Sequence, residues 1–151
     1  MIIYRISDCT YVNDLSGKGA AMYGGRWNSK DTYVLYTAEN HALALLEAVV
    51  HIGKVPANGY CMATIEIPDD SIQVFQAGKL PEDWQTNPPP NYLKVIGDHF
   101  IKAGKFIALK IPSAIMMEEH NFLLNPAHPA FKRVKILNQR PIRVDERLFP
   151  A

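Results

Sequence analysis

Short segments rich in β-branched and aromatic residues recur along the chain, and only two stretches have the apolar spacing of a helix. Such segments, bounded by turn residues, are typical of strands. The predicted strands are residues 2–6, 33–37, 60–67, 72–75, 106–111 and 134–137. The predicted helices are residues 39–52 and 92–103. Many short strands with two main helices predict an α+β fold with a mostly antiparallel sheet system.

Cap and turn residues mark the boundaries of these elements. Thr37 and Asn40 are both candidates for the N-cap of the first helix, and Gly53 is expected to end it. Gly104 is expected to end the second helix. Residues 7–32 are rich in Gly, Ser, Asn and Asp and are predicted to form one long loop. A loop of that length inside a compact domain is uncommon unless it is functional.

The length of the chain predicts one domain. Its 151 residues match the usual size of a single domain. The one proline cluster, residues 88–90, lies in the polar stretch 81–91, which we expect to be a surface loop or a hinge. A domain boundary there would leave about 60 residues for a marginal second core. We therefore expect a single domain over residues 1–151.

Charge and composition exclude several classes of protein. Sixteen Lys and Arg residues face fifteen Asp and Glu residues, so the formal net charge is +1. The chain as a whole thus lacks the strong basic excess of a dedicated nucleic-acid binder. The longest apolar run, residues 42–50, is interrupted by Glu47 and is too short for a membrane helix. With no secretory signal pattern either, we expect a soluble, cytoplasmic protein.

The cysteines and histidines indicate neither a disulfide framework nor a metal site. Cys9 and Cys61 are too few for a framework, and we expect them to be reduced, packed thiols. The histidines have no partners at the spacing of metal ligands, so no metal is expected.

Gly24-Gly25-Arg26-Trp27-Asn28 is the first candidate binding motif. Two glycines allow positive φ or a close approach of the backbone to a ligand. Arg26 presents a planar fork of donors that suits phosphate. A turn with a surface arginine would have the same sequence, and the spacing is not that of a Walker phosphate loop.

Glu47 is the second candidate. On a helical wheel, Leu43, Leu46 and Val50 surround it, so the carboxylate is predicted to lie at the edge of an apolar stripe. A carboxylate in that position is costly without a partner. It either reaches water at the rim or lines a cleft, where it could bind a ribose hydroxyl or stabilise a developing cation.

The third candidate region runs from Ser113 to the proline-rich segment 121–129. His128 is a candidate general base, although a turn histidine bonded to the backbone is the commoner role. An arginine, an aromatic strand, a cleft carboxylate and a serine together suit a dinucleotide. Neither a Rossmann fingerprint nor a nucleophile elbow is present, and the residues alone indicate no reaction.

These motifs together resemble the RES-domain family, which is named for an arginine, a glutamate and a serine. The resemblance rests on an ordered set that spans nearly the whole chain: residues 24–28, 35–39, 42–47, 112–113 and 121–129. It implies a fold similar to ADP-ribosyltransferase toxins, with a mixed sheet and NAD⁺ held in a cleft between β elements. It also implies a bacterial toxin that an Xre-type helix-turn-helix antitoxin neutralises.

The activity that the resemblance implies is the degradation of NAD⁺ at the nicotinamide–ribose bond, by hydrolysis or phosphorolysis. ADP-ribosylation of a protein is the alternative, and NAD⁺ is the substrate in each case. Nicotinamide leaves as a neutral group, so a fixed carboxylate can stabilise the cationic ribose. Glu47 would be that catalytic group, Tyr36 would stack on nicotinamide, and Arg26 would hold the diphosphate or the adjacent ribose.

The resemblance implies roles for three further positions. Ser113 would be the family serine and would orient the ribose or the carboxamide. Asn121 would complete the pocket, and Arg5 would be a second phosphate ligand.

A non-catalytic module that binds nucleic acid or a protein partner is the alternative of a different class. It rests on six of the sixteen basic residues, which lie near the C-terminus: Lys132, Arg133, Lys135, Arg140, Arg143 and Arg147. A solvated strand face explains such a cluster equally well, and we favour that interpretation. Under the family resemblance, this segment is also a candidate contact for the antitoxin, and no direct nucleic-acid partner is expected.

Overall fold

Strands dominate the fold of residues 1–149, which are the residues that a computed structural model describes. The strands are β1 (Ile2–Asp8), β2 (Leu35–Ala38), β3 (Tyr60–Glu66), β4 (Ile72–Val74), β5 (Ala108–Pro112), β6 (His120–Leu124) and β7 (Lys135–Ile142). The helices are α1 (Lys18–Tyr23), α2 (His41–Ile52) and α3 (Asn91–Ala103). No helix of the described residues is long and apolar enough to cross a membrane.

All seven strands join one sheet in the order β4-β5-β6-β2-β1-β3-β7. Five of the neighbouring pairs are antiparallel, and β4 pairs with β5 in parallel. The predicted α+β class and mostly antiparallel sheet are therefore confirmed. The parallel pair arises where Ser71 fixes the start of β4 to the residue before β5, since its carbonyl and its hydroxyl both accept from the backbone N–H of Ile107.

Helix α2 begins and ends where its cap residues predict. The Asn40 side chain accepts from the backbone N–H of Leu43 at 2.8 Å, so Asn40 rather than Thr37 is the N-cap. Gly53 takes the left-handed conformation that ends the helix, and Gly104 does the same for α3. The helix packs on β1 and β2, which brings its inner face over the centre of the sheet.

The predicted long loop over residues 7–32 is partly wrong. Strand β1 continues to Asp8, a 3₁₀ turn occupies Cys9–Tyr11, and α1 covers Lys18–Tyr23. Helix α1 has only six residues, which is too short for a helical period to stand out in the sequence. The segment after it is held by a close contact, because a Cβ at Gly97 of α3 would lie 1.7 Å from the Trp27 carbonyl oxygen.

The prediction of reduced thiols is wrong in this structure: Cys9 and Cys61 form a disulfide. Antiparallel pairing of β1 with β3 sets Ser7 opposite Cys61. The chain then turns at the end of β1, which brings the Cα atoms of the two cysteines to 4.8 Å. Fifty-two residues separate them in sequence, so only the strand register indicates the pairing.

Candidate active site

A cleft of about 660 Å³ lies against the inner face of α2. This volume is within the range of about 300–1,000 Å³ that small-molecule sites occupy. Its lining comes from β1, β2, β6, α2, the glycine-containing segment 23–27, and residues 85–94 before and within α3. The cleft therefore collects side chains from most of the sheet's centre and from loops far apart in sequence.

Glu47 lines this cleft, and its helical surroundings differ from the prediction. The buried residues of α2 are Leu43, Ala44 and Ala48, whereas Val50 is 63% exposed. Alanines 44 and 48 also line the cleft. The part of the buried face of α2 that lines the cleft thus carries two small residues, which leaves room for a ligand beside the carboxylate. Of the two predicted alternatives, the cleft position is the one observed.

Two side chains from different elements hold one oxygen of Glu47. The Asn121 amide nitrogen donates to Oε1 at 2.6 Å, and the Ser113 hydroxyl donates to the same atom at 2.9 Å. No hydrogen bond within residues 1–149 reaches Oε2. The carboxylate is therefore fixed through one oxygen, and the other is left for a ligand.

Ser113 acts from behind Glu47. It is fully buried and does not line the cleft. Its hydroxyl oxygen also accepts from the backbone N–H groups of Ile115 and Met116, at 3.1 and 3.2 Å. These bonds fix the hydroxyl hydrogen toward Glu47, so Ser113 positions the carboxylate in this structure.

Asn121 lines the cleft beside Glu47. Its side-chain oxygen is buried and has no hydrogen-bond partner among the described residues. An unpaired buried acceptor costs free energy, so this oxygen is an open acceptor next to the carboxylate.

Tyr36 joins the floor of the cleft to the glycine-containing segment. Its hydroxyl donates to Asn28 Oδ1 at 2.7 Å and accepts from the backbone N–H of Trp27 at 3.1 Å. Only glycine fits at position 25, because a Cβ there would lie 2.8 Å from the Tyr36 hydroxyl. Burial raises the pKa of the phenol well above its usual range, so Tyr36 is a neutral, fixed aromatic surface.

Arg26 lines the cleft and is anchored through one nitrogen. Its Nη1 donates to the carbonyl oxygens of Trp84 and Thr86, both at 3.0 Å. Burial lowers the pKa of the guanidinium, and the charge of Glu47 opposes that shift. Arginine stays charged in either case. Within the described residues no hydrogen bond uses Nε or Nη2, which leaves a donor pair for an anion.

Arg5 is a second cation in the lining. Its Nη1 donates to the carbonyl oxygens of Tyr11 and Val12, both at 3.0 Å. Burial lowers the pKa of this guanidinium, and Asp14 opposes the shift. The two arginines are thus anchored to different segments of the chain.

The structure therefore brings Glu47, Tyr36, Arg26, Asn121 and Arg5 into one cleft, with Ser113 directly behind it. His128 lies elsewhere: its Nδ1 accepts from the backbone N–H of Ala130 at 3.0 Å, as expected of a turn histidine. Among residues 1–149, no three His, Cys, Asp or Glu side chains are grouped so that they could hold a metal ion.

The sequence interpretation missed part of the lining. Gln85, Asn87, Pro89 and Lys94 all face the cleft. The first three belong to the polar stretch that was predicted to be a surface loop or a hinge. Prolines and polar residues signal a loop without showing what the loop packs against, and only the bonds from Arg26 place it at the site.

The basic residues near the C-terminus lie outside the cleft lining. Arg133 pairs with Asp70 and Arg147 pairs with Asp145. Lys135 and Arg140 are exposed on β7, which is an edge strand. This arrangement is that of a solvated strand with partly neutralised charge.

Comparisons with known proteins identify the family of the chain. A family model described as the RES domain matches residues 2–145. The Prs ADP-ribosylating toxin of Sphingobium sp. is 39% identical over 142 residues, covering 91% of this chain and 88% of that protein. The protein named Toxin Res of Photorhabdus laumondii subsp. laumondii is 34% identical over 154 residues, covering 100% and 99%.

One solved structure has the same fold. It is a chain of the crystal structure of the M. tuberculosis MbcT–MbcA toxin–antitoxin complex, with a TM-score of 0.75 and 16% sequence identity. The match covers 93% of this chain and 83% of the other. At that identity the likeness concerns the fold alone.

Proposed function

The chain belongs to the RES domain family, and from that premise we propose that it is an NAD⁺-consuming toxin of a toxin–antitoxin pair. The observation that carries the proposal is the setting of Glu47. Two donors hold the carboxylate through Oε1 in a cleft of about 660 Å³, and Oε2 is free of bonds within residues 1–149. The names of the relatives, which include an ADP-ribosylating toxin, support it.

The reaction breaks the bond between C1′ of the ribose and N1 of nicotinamide. The bonding electrons leave with nicotinamide, which becomes neutral, and the ribose becomes an oxocarbenium-like cation. A preorganised carboxylate stabilises such a charge best in a site from which water is largely excluded. Because the leaving group needs no proton, one carboxylate suffices. Water then adds to C1′ and releases one proton, giving ADP-ribose.

The cleft residues have distinct roles in this proposal. Glu47 faces the developing cation, and Ser113 and Asn121 hold it there. Tyr36 provides the aromatic surface against nicotinamide. Arg26 binds the diphosphate through its free donors, with Arg5 as the second cation of the cleft.

Transfer of ADP-ribose to a protein is the second candidate. The name of the 39% identical relative, the Prs ADP-ribosylating toxin, favours it. Transfer uses the same bond cleavage and differs only in the nucleophile that adds to C1′. Phosphate as the nucleophile would give phosphorolysis.

The experiment that separates these outcomes is product analysis with purified protein and labelled NAD⁺. Free nicotinamide with ADP-ribose indicates hydrolysis, and ADP-ribose-1-phosphate that forms only with added phosphate indicates phosphorolysis. Label that stays on protein when lysate is supplied indicates transfer. Unchanged NAD⁺ in all three conditions would contradict the proposal.

The proposed partner is an antitoxin protein, of the Xre type that the family resemblance implies. The fold shared with a chain of a toxin–antitoxin complex supports a partner of this kind. Co-expression of a neighbouring helix-turn-helix gene is expected to restore growth that the chain alone arrests. Growth arrest that no such gene relieves would contradict the pairing.

A further inference from the structure

One wall of the cleft comes from a segment that lies outside every motif shared with the family. We call residues 84–89 the polar wall. Gln85, Asn87 and Pro89 of this wall line the cleft, and so does Lys94, the fourth residue of α3. The wall therefore contacts any ligand that fills the cleft.

The polar wall is fixed in place rather than hinged. Arg26 binds the carbonyls of Trp84 and Thr86, and the Gln85 amide nitrogen donates to the carbonyl of Ala114 at 3.1 Å. The Thr86 hydroxyl donates to the Asp83 carbonyl at 2.9 Å. The bonds from Arg26 link the wall to a cation of the cleft, and the bond from Gln85 links it to the residue after Ser113.

Asn87 is the polar side chain of the wall with no hydrogen bond among the described residues. The side-chain amide nitrogens of Gln85, Asn28 and Asn121, by contrast, each donate to a partner within the described residues. Asn87 is exposed and lines the cleft, so both its donor and its acceptor are free to meet a ligand.

Arg26 joins the polar wall to the rest of the cleft. Glu47 marks the nicotinamide–ribose bond, and its charge acts on Arg26. Arg26 in turn bonds directly to the polar wall. In the proposed pose, the diphosphate lies on Arg26, the scissile bond lies at Glu47, and the adenosine extends past Arg26 onto the wall. Pro89 offers an apolar contact for the face of a base.

We propose that Asn87 is a specificity-determining residue that reads the adenine of NAD⁺ with its side-chain amide. The amide matches adenine in both directions, since Oδ1 accepts from the N6 amino group and Nδ2 donates to N7. Hypoxanthine carries an oxygen at position 6 in place of the amino group. It therefore loses the bond to Asn87 Oδ1 and places its own acceptor O6 opposite that acceptor. This inference rests on the proposed function, because it assumes NAD⁺ in the cleft.

The test is a set of binding affinities measured by calorimetry in the Glu47→Gln background, where turnover does not consume the ligand. The ligands are NAD⁺, nicotinamide hypoxanthine dinucleotide and nicotinamide mononucleotide. We expect NAD⁺ to bind about tenfold more tightly than the hypoxanthine analogue. Adding Asn87→Ala should abolish that preference and leave the affinity for the mononucleotide unchanged.

Asn138→Ala is the matched control, because Asn138 is an exposed asparagine on β7 outside the cleft. It should keep the preference for adenine. A preference that survives Asn87→Ala, or an equal loss of affinity for all three ligands, would overturn the inference. Absence of NAD⁺ binding would overturn it together with the proposed function, whereas binding without cleavage by the wild type would contradict the proposed function alone.

Discussion

Three side chains from three parts of the chain meet at one carboxylate oxygen. Glu47 comes from α2, Ser113 follows β5, and Asn121 lies on β6. A carboxylate held in this way keeps its orientation while charge develops on the substrate, and a fixed group costs no reorganisation during the reaction. At the scale of single residues, catalysis should therefore depend on the holders as well as on Glu47.

Ser113→Ala tests the holder that does not line the cleft. The variant removes one donor to Glu47 and leaves the N–H groups of Ile115 and Met116 without their acceptor. We expect kcat to fall while KM changes little, and the free energy of unfolding to fall by about 1–3 kcal/mol. Steady-state kinetics and urea denaturation measure the two effects.

Ser16→Ala is the control for this prediction. The Ser16 hydroxyl also accepts from a backbone N–H, that of Lys18, but at an exposed site. Ser16→Ala should lower the free energy of unfolding by less than about 1 kcal/mol and leave kcat unchanged. If kcat and kcat/KM fell equally in both serine variants, Ser113 would have a merely structural role.

Tyr36→Phe separates the aromatic surface from the hydroxyl. The ring stays, but the bonds to Trp27 and Asn28 are lost, so we expect retained substrate affinity with a loss of about 1–3 kcal/mol in the free energy of unfolding. A large rise in KM for this variant would contradict the stacking role.

The pH dependence of stability gives Tyr36 a second test. Burial raises the pKa of the folded phenol, while the unfolded phenol titrates near pH 10. Unfolding above about pH 10 therefore releases a proton, and the free energy of unfolding falls as pH rises. Below about pH 10, Tyr36 does not make the free energy of unfolding depend on pH. Denaturation curves should show a shallower fall above pH 10 for Tyr36→Phe than for the wild type.

At the scale of elements, the packing of α3 on the glycine-containing segment shapes the cleft. A Cβ at Gly97 would lie 1.7 Å from the Trp27 carbonyl oxygen, and backbone cannot yield as a flexible side chain can. We expect Gly97→Ala to destabilise the fold by about 3 kcal/mol or more. It should also impair NAD⁺ cleavage, because Arg26 precedes the displaced residue.

Gly19→Ala is the matched control for Gly97. Gly19 lies in α1, where an added Cβ would meet nothing within 4 Å. It should leave the melting temperature unchanged or raise it slightly, because alanine favours helix by up to about 1 kcal/mol over glycine. Equal melting temperatures for the two variants would contradict the account of this contact.

The elements could be predicted from the sequence to different extents. Helices α2 and α3 were predicted well, because an apolar period and a terminal glycine define each of them locally. Helix α1 has six residues and gives no such period. Strand β6 was not predicted as a strand, because its pairing with β2 and β5 is a property of the sheet.

The residues of the site could be predicted from the sequence better than their geometry. The family motifs bring Arg26, Glu47 and Ser113 to attention, but the helical wheel around Glu47 was only partly right. Leu43 is buried as the wheel predicts, whereas Val50 is exposed and Ala44 and Ala48 are buried. A helical wheel favours the face with the bulkiest apolar residues, whereas a helix that packs closely on a sheet beside a cleft can bury small residues. The polar wall had no signal at all, since it depends on carbonyl contacts with Arg26.

At the scale of the whole molecule, the Cys9–Cys61 disulfide closes a loop of 52 residues. Chain-entropy estimates for a loop of this size give about 4 kcal/mol of stabilisation. The Cys9→Ser and Cys61→Ser double variant should lower the free energy of unfolding by about 2–4 kcal/mol. Urea denaturation with and without reductant measures this. Stability that is insensitive to both reductant and substitution would show that the bond contributes nothing.

We propose that the cleft cleaves NAD⁺ with the carboxylate of Glu47. The most direct measurement is nicotinamide release from NAD⁺ by the purified wild type and by Glu47→Gln, with the melting temperature of each recorded. Glutamine keeps the size of the side chain and removes the charge. We predict release by the wild type, a loss of about 100- to 1,000-fold in the variant, and closely similar melting temperatures. Release by Glu47→Gln at the wild-type rate would contradict the account.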